Sequence, residues 1–241
     1  MIKAITFDLG DTLIYYDGVA LNWSRHYVNA LTVGFERSGV DPQAQKIGEC
    51  KEVLRRFNTR ITPRDKEYSA VEIFRQIGVV VGANESQQKR IMDEFFAYFQ
   101  RKSKIYSDTV GSLTKIKASG LAIGILTDVA YGMPKENVQS DVAAIVSLID
   151  VLLTSVDVGF RKPSPIGYTK LADSLEIDID QMIYVGNEEK DILGANRAGV
   201  AASILINRSG TALDYGQSMT FPNLDEITRT LFSKGVFANQ E

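Results

Sequence analysis

The chain has 241 residues, 44% of them hydrophobic and 24% charged, with 27 Lys+Arg against 30 Asp+Glu for a net charge of −3. A chain of this length buries enough surface to fold without disulfides or structural metals, and its slightly acidic balance carries no electrostatic footprint for nucleic acid. One cysteine, Cys50, excludes an intramolecular disulfide and a cysteine-built zinc site; one histidine, His26, excludes a histidine-pair metal site and argues against a Ser-His-Asp triad. Chemistry is left to carboxylates, lysine, threonine and serine.

In chain order, Ile2–Leu9 is a β-branched and aromatic run that reads as a buried strand ending at Gly10-Asp11. From about 21 to 104 the texture is helical, with apolar spacing over 21–38, 43–58, 66–77 and 86–102 and breaks at Gly39, Thr62-Pro63 and Gly82-Ala83-Asn84. No strand is expected there, although Val79–Val81 is a short β-branched run. A four-helix arrangement with Phe95, Phe96 and Phe99 in its core fits this stretch. After Ser107 helices and strands alternate: a helix over 108–119 closed by Gly120, a strand over Leu121–Thr127, a helix over 135–148 and a strand over Asp150–Ser155. They continue as a helix over 165–175, a strand over Met182–Val185, a helix over 188–198 closed by Gly199, a strand over Ala202–Ile206 and a helix over Leu224–Ser233.

Strands alternating with helices imply βαβ units around a parallel sheet. One strand precedes the helical stretch, so that stretch is an insertion. The expected fold is α/β: a Rossmann-like core from residues 1–15 and 105–241, interrupted by a helical cap over 16–104. No apolar run approaches the roughly 20 residues that cross a membrane. MIKAITFDLG lacks the regions of a secretory signal, and with one cysteine the expected compartment is the reducing cytoplasm.

Open parallel sheets bind ligands beyond the carboxyl ends of their strands. The polar residues there are Asp8, Gly10, Asp11 and Thr12 after the first strand, and Thr127 and Asp128 after the second. Arg161, Lys162 and Pro163 follow the third, and Asn187, Glu188, Glu189, Lys190 and Asp191 the fourth. Acids, a hydroxyl and a lysine converge on one rim.

Taken together, FDLGDTL, ILTD, RKPSP and YVGNEEKDI, in that order and each at or after a strand end, resemble the haloacid dehalogenase superfamily, in the subfamily with a helical cap. The resemblance implies a hydrolase, most simply a magnesium-dependent phosphatase of a small phosphorylated metabolite, with no nucleic-acid or membrane partner and an oligomeric state left open. It implies Asp8 as the nucleophile that forms an aspartyl-enzyme intermediate. Thr127, Asp128 and Lys162 would bind the substrate, Thr127 and Lys162 also supporting charge on the transferred group rather than the stability of the fold. Asp8, the Gly10 carbonyl, Asn187 and Asp191 would surround Mg2+. If residue 188 opens the helix, Asn187 and Asp191 share a face.

Two positions depart from the family pattern. Gly10 stands where the family's phosphatases carry a second Asp that handles the leaving-group proton, a service typically worth about 10²–10⁴-fold. Glycine at this place is also what a left-handed backbone would require. Asn187 stands where metal-dependent members carry Asp, which removes a charge from the metal shell. These departures leave a 2-haloacid dehalogenase-like enzyme, a phosphonate-cleaving enzyme, and a catalytically weak binding or regulatory module as alternatives. Outside the motifs, Thr12 reads as a turn residue, Arg161 as a solvated charge and His26 as a helix histidine. Arg60 and Arg64 read as cations of a solvated cap loop, with contact to an anionic substrate as the alternative.

Overall fold

The computed structural model describes residues 1–233. In chain order the elements are β1 (Ala4–Phe7), β2 (Ile14–Tyr16), α1 (Tyr27–Ser38), α2 (Ala44–Phe57), α3 (Ala70–Val81), α4 (Glu85–Gln100), β3 (Ser103–Ile105), α5 (Thr109–Ala118) and β4 (Ala122–Thr127). They are followed by α6 (Lys135–Asp141), β5 (Val151–Thr154), α7 (Ser155–Val158), α8 (Ile166–Ser174), β6 (Met182–Gly186), α9 (Glu189–Ala198), β7 (Ala202–Ile206), β8 (Met219–Phe221) and α10 (Leu224–Ser233).

The chain divides into two compact units: residues 1–15, 105–128 and the described residues from 142 on form one, and residues 16–104 with 129–141 the other. The first unit is built on a six-stranded sheet in the order β5-β4-β1-β6-β7-β8, every neighbouring pair parallel. β1 is central, pairing Phe7 with Ile125 on one side and Val185 on the other. All four of its residues are buried, as expected for a parallel strand covered on both faces. The chain runs outward from β1 through β4 to β5, then returns to build β6, β7 and β8 on the opposite side. That reversal puts the crevice beside the carboxyl end of β1, where Asp8 emerges.

The second unit packs α1 against α4, α4 against α3, and α3 against α2. Its core is aromatic: Phe95 meets Phe74, Phe96 and Phe99 at centroid distances of 5.1, 5.5 and 5.3 Å, and Trp23 stacks on Phe99 at 3.7 Å. Buried polar groups thread this core as a neutral chain. Asn58 donates to Asn22 Oδ1 and to the Tyr27 hydroxyl, which in turn shares a short hydrogen bond with the Tyr131 hydroxyl. Tyr131 has φ 53°, left-handed for a bulky residue.

Several elements differ from the sequence expectation. α3 begins at 70 rather than 66 because Ser69 and Glu72 form a capping box, and Val79–Val81 is its last turn. The helix expected over 135–148 stops at Asp141, and its segment, Val129–Asp141, clusters with the helical unit. Three-residue strands β2, β3 and β8 were not expected; β2 and β3 pair with each other. Arg64 donates to the Phe57 carbonyl and to Glu67, so it braces its own loop. His26 lies in a short 3-10 turn, with Nδ1 3.4 Å from the Tyr98 hydroxyl.

Candidate active site

Asp8 follows β1 directly and is held by its amide, which donates to the Val185 carbonyl of β6 at 2.8 Å. The chain then turns tightly: the amides of Thr12, Leu13 and Ile14 all point at the Leu9 carbonyl. The left-handed residue in this turn is Asp11, with φ 56°, a conformation aspartate tolerates better than most. Gly10 is not left-handed, and a Cβ built on it meets nothing within 4 Å. The conformational reason for a glycine at position 10 is therefore absent.

Lys162 is buried, and its ammonium is shared. Nζ donates to Asp8 Oδ1 at 2.5 Å, to the Tyr184 hydroxyl at 3.2 Å and to the Leu126 carbonyl at 3.3 Å. It also lies 2.6 Å from Asp191 Oδ1, a buried oxygen that receives no aligned hydrogen bond. Tyr184 completes the cradle by donating to the same Leu126 carbonyl at 3.0 Å. Burial works to strip Lys162 of its proton, but Asp191 and Asp8 outweigh it and hold the pKa well above that of an ordinary lysine. On the other side of the pair, burial pushes Asp8 up to about 7. Asp191 reinforces that rise, and the ammonium only partly opposes it.

Asp191 sits in the first turn of α9. Its Oδ2 accepts from the amides of Asn187 and Glu188 at 3.1 and 2.9 Å, which leaves Oδ1 facing Lys162. A Cβ on Gly186 would come within 2.4 Å of the Asp191 side chain, so glycine there is what lets this carboxylate approach the end of β6. The helix starts at Glu189, with Glu188 as its cap. Asn187 thus precedes the helix and does not share a helical face with Asp191. Its amide oxygen instead accepts from the buried Thr12 hydroxyl at 3.2 Å, tying the turn after β1 to the loop after β6.

Thr127 closes β4 and is buried; in the register that pairs Phe7 with Ile125, it stands one residue beyond Asp8. Asp128 is occupied by the protein itself: Oδ1 accepts the Lys162 amide at 3.1 Å, and Oδ2 accepts the Lys190 ammonium at 3.1 Å with Arg161 at 3.8 Å. Burial alone would raise its pKa, yet Lys190, Arg161 and Lys162 together pull it well below the usual carboxylate range. Arg161 is only 5% exposed, so it is a buried partner rather than the solvated charge expected from sequence. The structure therefore brings Asp8, Lys162 and Asp191 into contact and joins Asp128 to Lys162 through the backbone. Tyr184 and Tyr168 (which donates to the Asp191 carbonyl at 2.9 Å) are not among the residues that the sequence marks, and Lys190 stands there only as one residue of the rim, with no role. For Tyr184 the available signal is a tyrosine inside the buried strand that ends in the acidic motif; Tyr168, on α8, has none.

Two buried carboxylates sharing one ammonium are under-compensated, and Asp191 Oδ1 is an acceptor without an aligned donor. Among the described residues no three His, Cys, Asp or Glu side chains cluster as a metal site. The oxygen donors that the structure brings near are the Asp8 and Asp191 carboxylates and, in the loop before α9, the Asn187 amide oxygen. An all-oxygen set with one or two carboxylates suits magnesium, which keeps several waters.

Residues 2–199 match a family model described as haloacid dehalogenase-like hydrolase. Among curated proteins, the glyceraldehyde 3-phosphate phosphatase of Methanopyrus kandleri is 26% identical over 206 residues, covering 83% of this chain and 82% of that protein. The phosphoglycolate phosphatase of Neisseria meningitidis is 24% identical over 230 residues, covering 95% and 87%. Among solved structures, a HAD phosphatase from Thermococcus onnurineus superposes with a TM-score of 0.65 at 18% identity, covering 95% of this chain and 98% of that one. A 2-haloacid dehalogenase from Pseudomonas syringae pv. Tomato gives 0.65 at 21% identity, covering 97% and 100%. At these identities the structural likenesses speak for the fold alone.

Proposed function

This chain belongs to the haloacid dehalogenase-like hydrolases, and we propose that it is a magnesium-dependent phosphatase of a small phosphorylated metabolite, working through an aspartyl-phosphate on Asp8. The observation that carries this reading is the buried ammonium of Lys162 set between Asp8 and Asp191. Among curated relatives, those covering most of this chain are named as phosphatases of three-carbon and two-carbon phosphates, which sets the scale of the expected substrate.

In this reading a carboxylate oxygen of Asp8 attacks phosphorus, and the bond to the leaving oxygen breaks with its electron pair going to that oxygen, which takes its proton from solvent water. Water then attacks phosphorus, releases inorganic phosphate and restores the Asp8 carboxylate. Lys162 holds positive charge against the transferred group, and the Thr127 hydroxyl supplies a neutral donor. Asp8, Asp191, Asn187 and the Gly10 carbonyl would hold the magnesium ion, which when bound neutralises charge on the phosphoryl oxygens. Two adjacent carboxylates repel an anionic substrate until such a cation is present, which weighs against halide release from a haloacid without metal. Residues 16–104 serve as the cap that selects the substrate, and 129–141 belong with them.

Gly10 offers no proton to the leaving group. Aryl phosphates, whose leaving oxygen departs without an acid, are therefore expected to turn over faster than alkyl phosphates. The decisive experiment follows hydrolysis of p-nitrophenyl phosphate with magnesium, with EDTA, and with Asp8→Asn. Magnesium-dependent turnover abolished by the substitution supports the proposal. Equal turnover in a clean Asp8→Asn preparation ends it, and no turnover of any phosphate ester leaves the binding-module alternative standing. Among the described residues no helix is long and apolar enough to cross a membrane.

A further inference from the structure

We propose that Lys190 is a positioning residue for Lys162, acting through the carboxylate of Asp128; the proposal rests on the phosphatase reading of the Asp8 site. Lys190 occupies an adverse place. It lies in the first turn of α9 between Glu189 and Asp191, where the helix macrodipole favours anions and disfavours an ammonium. Its side chain nevertheless folds back, with Nζ 3.1 Å from Asp128 Oδ2 and 3.3 Å from Glu188 Oε2, and only 26% of it is exposed. Burial opposes its charge, but Asp128 and Glu188 more than restore it, so the lysine stays cationic.

The other oxygen of Asp128 explains what this contact accomplishes. Oδ1 accepts the backbone amide of Lys162, the residue whose Nζ reaches Asp8 and Asp191. One carboxylate, itself 4% exposed, therefore joins the exit of β4, the loop before α8 and the first turn of α9. Without Lys190, the nearest remaining side-chain cation on Asp128 is the Arg161 guanidinium at 3.8 Å. Asp128 would then attract the Lys162 ammonium, drawing it from Asp8. A displacement of that kind near 1 Å costs rate rather than ground-state binding, since the reacting group moves onto Asp8 itself.

The test uses the full chain with magnesium and p-nitrophenyl phosphate. Lys190→Met is expected to lower kcat by about tenfold or more with KM within about twofold, and Lys190→Arg to recover most of the loss. Asp128→Asn should show a similar loss, and the double variant should be no worse than the poorer single one, because the two residues act as a unit. A folded Lys190→Met with wild-type kcat, or losses that multiply in the double variant, would overturn the proposal. Hydrogen exchange at the Lys162 amide, measured without substrate, provides a second reading. It should quicken at least about tenfold in Lys190→Met and not in Lys190→Arg, and unchanged exchange overturns the proposal. Because exchange needs no turnover, a wild type inactive on phosphate esters would sink the phosphatase reading while the exchange comparison still judged Lys190.

Discussion

The two units bury polar groups in opposite ways. Around Asp8 the sheet unit buries full charges, two carboxylates on one ammonium with Asp128 nearby on two more cations and a backbone amide. The helical unit buries almost only neutral groups, an amide and two phenols in series from Asn58 to Tyr131. Neutral hydroxyls and amides satisfy one another at modest cost, whereas buried ions must be matched by opposite charge and hydrogen bonds to be tolerated. The sheet unit concentrates that cost at the strand ends where a ligand would sit. The helical unit also buries the Glu67 carboxylate, matched by the Arg64 guanidinium at 3.0 Å; the exception to such matching is Asp141, a buried carboxylate whose partner is the Tyr16 hydroxyl at 2.5 Å rather than a cation.

The contrast can be broken at its strongest point first. Asp8→Asn should reduce kcat by about 10⁴-fold or more while the fold stays intact, since it removes charge from an under-compensated pair; circular dichroism and turnover on the same preparation check this. Lys162→Ala should lower kcat by about 10²–10³. Sequence alone suggested that it would leave stability alone, but the buried setting of Lys162 says otherwise. Asp8 and Asp191 lose their common cation, and the fold should lose about 3 kcal/mol or more at neutral pH, read from denaturant midpoints. In the helical unit, Phe95→Ala should cost about 3–5 kcal/mol through the cavity it leaves among Phe74, Phe96, Phe99 and Tyr131. Hydrogen exchange should then quicken along α3 and α4.

The smallest effect isolates the exception. Burial raises Asp141 to about 6 from 3.8, and the hydrogen bond from Tyr16 only partly opposes this. A carboxyl whose folded pKa is raised favours the fold when protonated. Its contribution is therefore complete below about 4 and is lost as the pH rises through about 6, up to about 3 kcal/mol in all. Asp141→Asn keeps an oxygen for Tyr16 and removes the titration. The variant should gain stability over the wild type between pH 4 and 7, measured as the difference in unfolding free energy. A difference that stays constant across that range would show that Asp141 does not titrate there.

How far the sequence could be read follows the range of the interactions. The alternating pattern after Ser107 announced the parallel sheet, and the strand ends marked Asp8, Thr127 and Asp191 because strand termini place their next residues on one rim. Lys162 was visible for the same reason. The engagement of Asp128 was not, since which way its side chain turns depends on Lys190 and Lys162, 62 and 34 residues away. The Thr12 to Asn187 hydrogen bond spans 175 residues and leaves no local trace. Strands of three residues such as β2, β3 and β8 are too short to show a period, and α3 starts later than its apolar spacing suggests because the Ser69 and Glu72 capping box sets its first turn.

Val129–Asp141 follows directly on Thr127-Asp128, yet its Tyr131 packs with Trp23, Tyr27 and Phe95. The helical unit is thus stitched to the sheet unit by four covalent crossings rather than two. Anyone transplanting the helical unit between relatives would have to move both pieces together. A graft of residues 16–104 alone would inherit a host's version of Tyr131 and lose the hydroxyl that ends the Asn58–Tyr27 chain, whereas a two-piece graft would carry its own core with it.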